Sequence, residues 1–380
     1  MLAAFEIEKR IEDLNRTLPK TFGKARVFLL SDFYSHLFSL NNHNLIEAYS
    51  TQYIELYIES LEKYTPFYQP IEDSENLIKV IERLKEIRFL EEYRSTLNEF
   101  LSRIIDEREL LRRILKGEKV VSSNEKRLSV PLIEKCNGCH YAVVESLKIR
   151  ISKSRDKDSF LIIPMNQEVE KHLNEQIKTS FESAKRFVGK YYKKVAKYHE
   201  VIIYFDNLCA FYEGNSLGIA LTTGFIEQLS LLYNLPYVTN IADNIVFTGG
   251  MDKDGKITPV TPEIIEKKTE AVFYSNVKTF IVPKEDEIFA LEKVKALKMK
   301  HPKRQLAVSG IENFNEILNR RDLIHYKKQS VALRTVKGIR NNWILLTTVV
   351  ILLSVVSFFI IRDIDNNPAT SEVKGNVLLL

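Results

Sequence analysis

Thr261-Pro262-Glu263-Ile264-Ile265-Glu266-Lys267-Lys268-Thr269-Glu270-Ala271-Val272, followed by Val277-Lys278-Thr279-Phe280-Ile281-Val282-Pro283, decides how this chain is read. Thr261 suits an N-cap and Pro262 the first helical position, so a helix is predicted over 262–274. The β-branched and aromatic run after it predicts a strand over 278–282. The alternation continues outward, with a helix over 285–298 and a last strand and helix to about 319. Upstream come a strand at 244–247, a helix at 216–233, a strand at 201–205 and a long helix at 167–197. That last helix carries Val169, Leu173, Ile177, Phe181, Ala184, Val188 and Tyr191 on one side. Tyr141–Ile151 and Phe160–Ile163 alternate apolar and polar residues around a charged turn, which predicts a β-hairpin. Residues 121–131, VSSNEKRLSVP, read as a linker or loop. Strands alternating with helices imply an α/β domain over 119–325.

Residues 1–118 read differently. They hold two glycines, Gly23 and Gly117, and apolar residues recur every three or four positions, as in Leu97, Leu101, Ile104 and Ile105. This predicts an all-α N-terminal domain with a solvated charged face. A chain of 380 residues, 45% hydrophobic and 28% charged, excludes a disordered tail and a small disulfide-stapled module. Its net charge of +5 is too mild to argue for nucleic acid.

Part of that charge is local. Lys327, Lys328, Arg334, Lys337 and Arg340 crowd a basic linker at 326–342. Residues 343–361, WILLTTVVILLSVVSFFII, then run 19 positions without a charge, Gly or Pro. This predicts a single transmembrane helix with Trp343 at one interface. The positive-inside rule places residues 1–340 in the cytoplasm and the tail, 362–380, outside, for a single-pass protein of the cell (inner) membrane.

Two residues carry the chemistry. Ser216 stands before the apolar run Ile219-Ala220-Leu221, at the first turn of the 216–233 helix. Unpaired backbone N–H groups there suit a serine nucleophile, whose attack on a carbonyl creates an oxyanion; they equally suit a serine that is only an N-cap. Lys268 lies four residues after Ile264 and three before Ala271, inside the apolar stripe of its helix. A lysine so placed snorkels, finds an anion or loses its proton, and a neutral lysine can serve as general base for a serine. Lys267 falls outside the stripe, near Glu263 and Glu270, and reads as a solvated partner of those acids.

Together these segments resemble the Lon-type Ser/Lys peptidases. Glu213-Gly214-Asn215-Ser216-Leu217-Gly218-Ile219-Ala220 resembles the nucleophile run, Phe247-Thr248-Gly249-Gly250 the T-G-E turn, and Gly255-Lys256-Ile257-Thr258-Pro259-Val260 the following hairpin. Lys268–Val272 and Val277–Glu285 resemble the lysine helix and the strand after it, so the likeness spans about 75 residues. It implies a Lon-type proteolytic domain with Ser216 as nucleophile, Lys268 as general base, Thr248 orienting the lysine, and Gly214, Asn215 and Gly218 shaping the nucleophile loop. It also implies protein or peptide substrates, no cofactor, and a hexameric ring. The sequence has no G-x-x-x-x-G-K-[ST] phosphate loop, so proteolysis is expected to proceed without ATP or with a separate ATPase as partner. Departures at Asn215, Leu217 and Gly250 leave open a degenerate Lon-fold binding module that recruits partners to the membrane.

Cys136-Asn137-Gly138-Cys139-His140 has the C-x-x-C-H form, but the only other cysteine, Cys209, lacks metal-ligand spacing. Structural cysteines are expected and no metal site is assigned, with a redox or metal role as the alternative.

Overall fold

Five helices build the N-terminal region: α1 (Leu2–Thr17), α2 (Gly23–Ser39), α3 (His43–Glu62), α4 (Asp73–Glu86) and α5 (Arg94–Leu115). Their apolar stripes converge, burying Leu30, Tyr34, Tyr57, Leu77, Ile81, Leu97 and Ile104 in one core. The computed structural model describes residues 2–118, 120, 128–136, 139–163, 167–206, 216–242, 244–330, 332 and 343–366. Gly214, Asn215 and Cys209 lie outside the described residues, as do the side chains of Cys136, Cys139 and His140. So do 333–342 of the basic linker and 367–380 of the tail.

The remainder alternates strands and helices. In chain order it comprises β1 (Leu128–Cys136), β2 (Cys139–Ser154), β3 (Ser159–Ile163), α6 (Gln167–Gly189), β4 (Tyr198–Phe205) and α7 (Gly218–Leu232). These are followed by β5 (Tyr237–Ile241), β6 (Ile245–Phe247), β7 (Gly250–Met251), β8 (Ile257–Thr258), α8 (Pro262–Phe273) and β9 (Thr279–Pro283). The last elements are α9 (Glu287–Lys300), β10 (Ala307–Ile311), α10 (Phe314–Asn319), β11 (Ile324–Lys328) and α11 (Trp343–Asn366). Seven strands form one mixed sheet in the order β10-β9-β6-β1-β2-β4-β3. The β10-β9-β6-β1 side is parallel, β2 is antiparallel to both β1 and β4, and β3 is parallel to β4. β5 with β11 and β7 with β8 form two small ladders.

Three expectations need correction. Leu128–Pro131, read as part of a linker, belongs to β1, because Leu128 pairs with Leu147 in the β1–β2 ladder. The hairpin expected between 141–151 and 160–163 does not form: β4 lies between those strands and pairs with each. β2 instead pairs with β1, with Cys136 opposite Cys139 at the end of the ladder. The long helix ends at Gly189 rather than 197; Leu173, Ile177, Phe181, Ala184 and Val188 are buried, whereas Tyr191, beyond the end, is exposed.

A fourth correction concerns the membrane. Among the described residues no helix is long and apolar enough to cross one, which overturns the expected transmembrane helix at 343–361. The same observation weighs against the expected single-pass location in the inner membrane.

The chain divides into two compact units. Met1–Tyr233 with Val238–Lys327 forms the first, which contains the N-terminal helices and the seven-stranded sheet. Asn234–Tyr237 with Lys328–Leu380 forms the second, in which Gln329 donates its backbone N–H to the Pro236 carbonyl at 2.9 Å.

Candidate active site

Three sequence-distant segments meet inside the first unit. Ser216 lies in the turn that leads into α7, Thr248 in the turn that leaves β6, and Lys268 in the middle of α8. Lys268 Nζ lies 2.6 Å from Ser216 Oγ and donates to Thr248 Oγ1 at 3.1 Å. All three side chains are buried: Ser216 is 4% exposed, Thr248 0% and Lys268 1%.

Lys268 reaches this place because its helix turns an apolar stripe inward. Ile265, Ala271 and Val272 on the same face are buried in the core. Lys267, one residue away, is partly exposed and pairs with Glu263 at 3.3 Å; Glu270 pairs with Lys293 at 2.8 Å. Arg304, itself buried, holds the far end of α8 and the turn after it. Its guanidinium donates to the carbonyls of Phe273 and Ser275, both at 2.9 Å, and of Val277 at 2.5 Å. Those bonds satisfy carbonyls that a helix end leaves without partners and place a cation at the negative end of the helix.

Ser216 is fixed by its backbone. The Gly249 N–H donates to the Ser216 carbonyl at 2.9 Å, and the Ile219 N–H returns a longer bond, 3.4 Å, to the Gly249 carbonyl. Two glycines permit this approach. A Cβ on Gly218 would stand 2.5 Å from the Met251 backbone nitrogen. Gly249 has φ +126°, a conformation that side chains disfavour, and a Cβ there would meet Pro283 Cγ at 2.9 Å.

Burial strips water from the Lys268 ammonium and lowers its pKa to about 7, while the Asp286 carboxylate pulls it back upward. Asp286 is buried and accepts the Val260 N–H at 2.9 Å. Its own pKa is raised, because burial outweighs that bond and the nearby lysine. With its pKa near 7 the amine is deprotonated in a substantial fraction of molecules at neutral pH, and in that form, hydrogen-bonded to a threonine on one side and facing a hydroxyl on the other, it can accept the serine proton. The start of α7 adds the positive end of a helix beside the hydroxyl.

Sequence reading missed two supporting residues. Gln176 is buried in the inward stripe of α6 and clamps β7 through its amide, donating to the Met251 carbonyl at 3.1 Å and accepting the Met251 N–H at 3.4 Å. Its place between Leu173 and Ile177 is the same kind of signal that singled out Lys268. Asp286 immediately follows the Val277–Glu285 motif and has no periodicity to mark it. His199 is buried with Nε2 2.7 Å from the Tyr233 hydroxyl.

Residues expected to shape the nucleophile loop divide. Gly218 opens α7 against β7, whereas Gly214 and Asn215 lie outside the described residues. The hairpin expected around Gly255–Val260 appears as β7 paired antiparallel with β8. Among the described residues no group of three or more His, Cys, Asp or Glu side chains is arranged to hold a metal ion. Comparison of the sequence with protein-family models and with curated proteins gives no match.

Proposed function

We propose that the chain is a serine endopeptidase of Lon-like type that cleaves protein or peptide substrates with a Ser216/Lys268 dyad and without ATP. The observation that carries this reading is the 2.6 Å contact between a buried lysine amine and a buried serine hydroxyl. Neither residue has that contact for stability's sake: burying an ammonium is costly, and a methionine would fill the volume without the cost.

In this reading Ser216 Oγ attacks the scissile carbonyl carbon while its proton passes to Lys268 Nζ. Thr248 Oγ1 accepts an N–H from the amine and so directs the nitrogen lone pair toward the serine. The tetrahedral intermediate collapses as the C–N bond breaks, and the lysine returns the proton to the leaving amine. Water then releases the acyl group by the same exchange in reverse.

The purified full chain is expected to cleave a fluorescently labelled unfolded polypeptide in the absence of ATP. Ser216→Ala and Lys268→Ala should each remove that cleavage, and a serine-directed phosphonate should label Ser216. Cleavage undiminished in both variants would overturn the dyad. A folded chain with neither cleavage nor labelling would leave the degenerate binding module in its place. A hexameric ring and a partner ATPase rest on the same resemblance and are tested by mass measurement in solution.

A further inference from the structure

We propose that the cavity where α2 meets the tip of the β1–β2 hairpin binds a small organic ammonium ion, received by the Glu134 carboxylate. This site stands apart from the dyad and does not depend on the peptidase reading.

The cavity measures about 110 Å³, and its lining includes Lys24, Lys63, Tyr64, Tyr68, Glu134 and Glu145. Glu134 is 5% exposed, and its two oxygens have different surroundings. Oε1 is seated at the N-terminus of α2, where a Cβ on Gly23 would stand 2.7 Å from it. Gly23 has φ +53°, and the Lys24 backbone N–H donates to this carboxylate. That half of the group acts as a cap supplied by a strand to a helix of another region. Oε2 is also buried but has no hydrogen-bond partner among the described residues. A buried carboxylate oxygen without a donor is costly enough to require an explanation. The nearest buried cation, Lys24, donates its Nζ to the Tyr68 carbonyl at 3.2 Å and makes no hydrogen bond to Oε2.

The walls select the class of donor. Glu145, 6% exposed, adds a second buried carboxylate, so two buried carboxylates face one buried lysine, Lys24, while Lys63 is exposed. Tyr64, Phe67 and Tyr68 present rings that attract a cation and accommodate a short alkyl chain. Two carboxylates are too few for a metal held by the protein, whereas one ammonium group brings three N–H donors to a single oxygen cluster. Tyr68 also joins this cavity to the helix of the catalytic lysine. Its N–H donates to the Tyr274 carbonyl at 2.8 Å, and its ring packs on the cluster of Ile133, Ala142 and Ala271.

The test is calorimetric titration and thermal unfolding of the full chain with ethylammonium chloride, ethanol, sodium acetate and potassium chloride at equal ionic strength. Ethylammonium should give saturable binding and raise the unfolding midpoint, and the other three should do neither. Glu134→Gln, which keeps the shape and removes the charge, should weaken ethylammonium binding at least tenfold. Equal responses to ethylammonium and potassium chloride, or to ethylammonium and ethanol, would overturn the proposal, as would unchanged binding by a folded Glu134→Gln. If that variant does not fold, discrimination between ethylammonium and its size-matched alcohol by the native chain decides the question.

Discussion

Gly249 donates its backbone N–H to the Ser216 carbonyl at 2.9 Å, tying the turn that holds Thr248 to the turn that holds the serine. The neighbouring Thr248 N–H donates to the Ile281 carbonyl of β9 at 3.0 Å. Serine and threonine are therefore positioned by one continuous set of main-chain bonds, and the lysine enters between them from a separate helix.

Proteolysis should rise with pH through about 7, where Lys268 gives up its proton, and level off above. Asp286→Asn removes the carboxylate that pulls this pKa upward, so the rise should move to lower pH. The rate of peptide cleavage against pH, measured for both proteins, checks the direction. An unmoved profile would mean that Asp286 does not act on the lysine.

Thr248→Val deletes the 3.1 Å acceptor while keeping the volume. It should lower kcat by roughly 10–100-fold, the cost of a misdirected catalytic group, with KM nearly unchanged. Thr248→Ser should restore most of the rate. Steady-state kinetics of the three proteins separates orientation of the amine from general packing.

Lys268→Met should abolish cleavage and stabilise the fold. The folded-state pKa is lowered from 10.5 to about 7, so between those values the unfolded chain binds more protons than the folded one. Native stability therefore rises with pH across that window, and the burial penalty is fully present at and below about pH 7. Urea unfolding at pH 7 should find the variant more stable by roughly 1–4 kcal/mol. The gain should shrink toward pH 10.5.

Gly218→Ala places a Cβ 2.5 Å from the Met251 nitrogen and 2.8 Å from Gln176 Nε2. Either the start of α7 or β7 must move, at a cost of roughly 1–3 kcal/mol. Chemical denaturation should show that loss, with a larger proportional loss of cleavage because Ser216 lies two residues away.

Lys268 stood out because it interrupts an apolar stripe, and a charge there needs a reason; its pairing with Ser216 came from the resemblance of the surrounding segments. Gln176 gave the same signal in α6 and was passed over because an amide carries no charge. The β1 strand was missed because its first residues follow the polar run Ser122-Ser123-Asn124-Glu125-Lys126-Arg127. The placement of β4 between β2 and β3 is a long-range pairing that local alternation cannot encode. The apolar run at 343–361 did mark a helix, α11, but not a span.

The parallel register of Ser129 with Val246 brings together strands more than a hundred positions apart, and β9 closes beside them later still. During synthesis the serine leaves the ribosome well before the strand whose Ile281 carbonyl secures the threonine turn. A nascent chain that stops short of β9 holds every reactive group but lacks the scaffold that aligns them. The order of translation thus leaves the mutual alignment of Ser216, Thr248 and Lys268 to the last strands of the sheet.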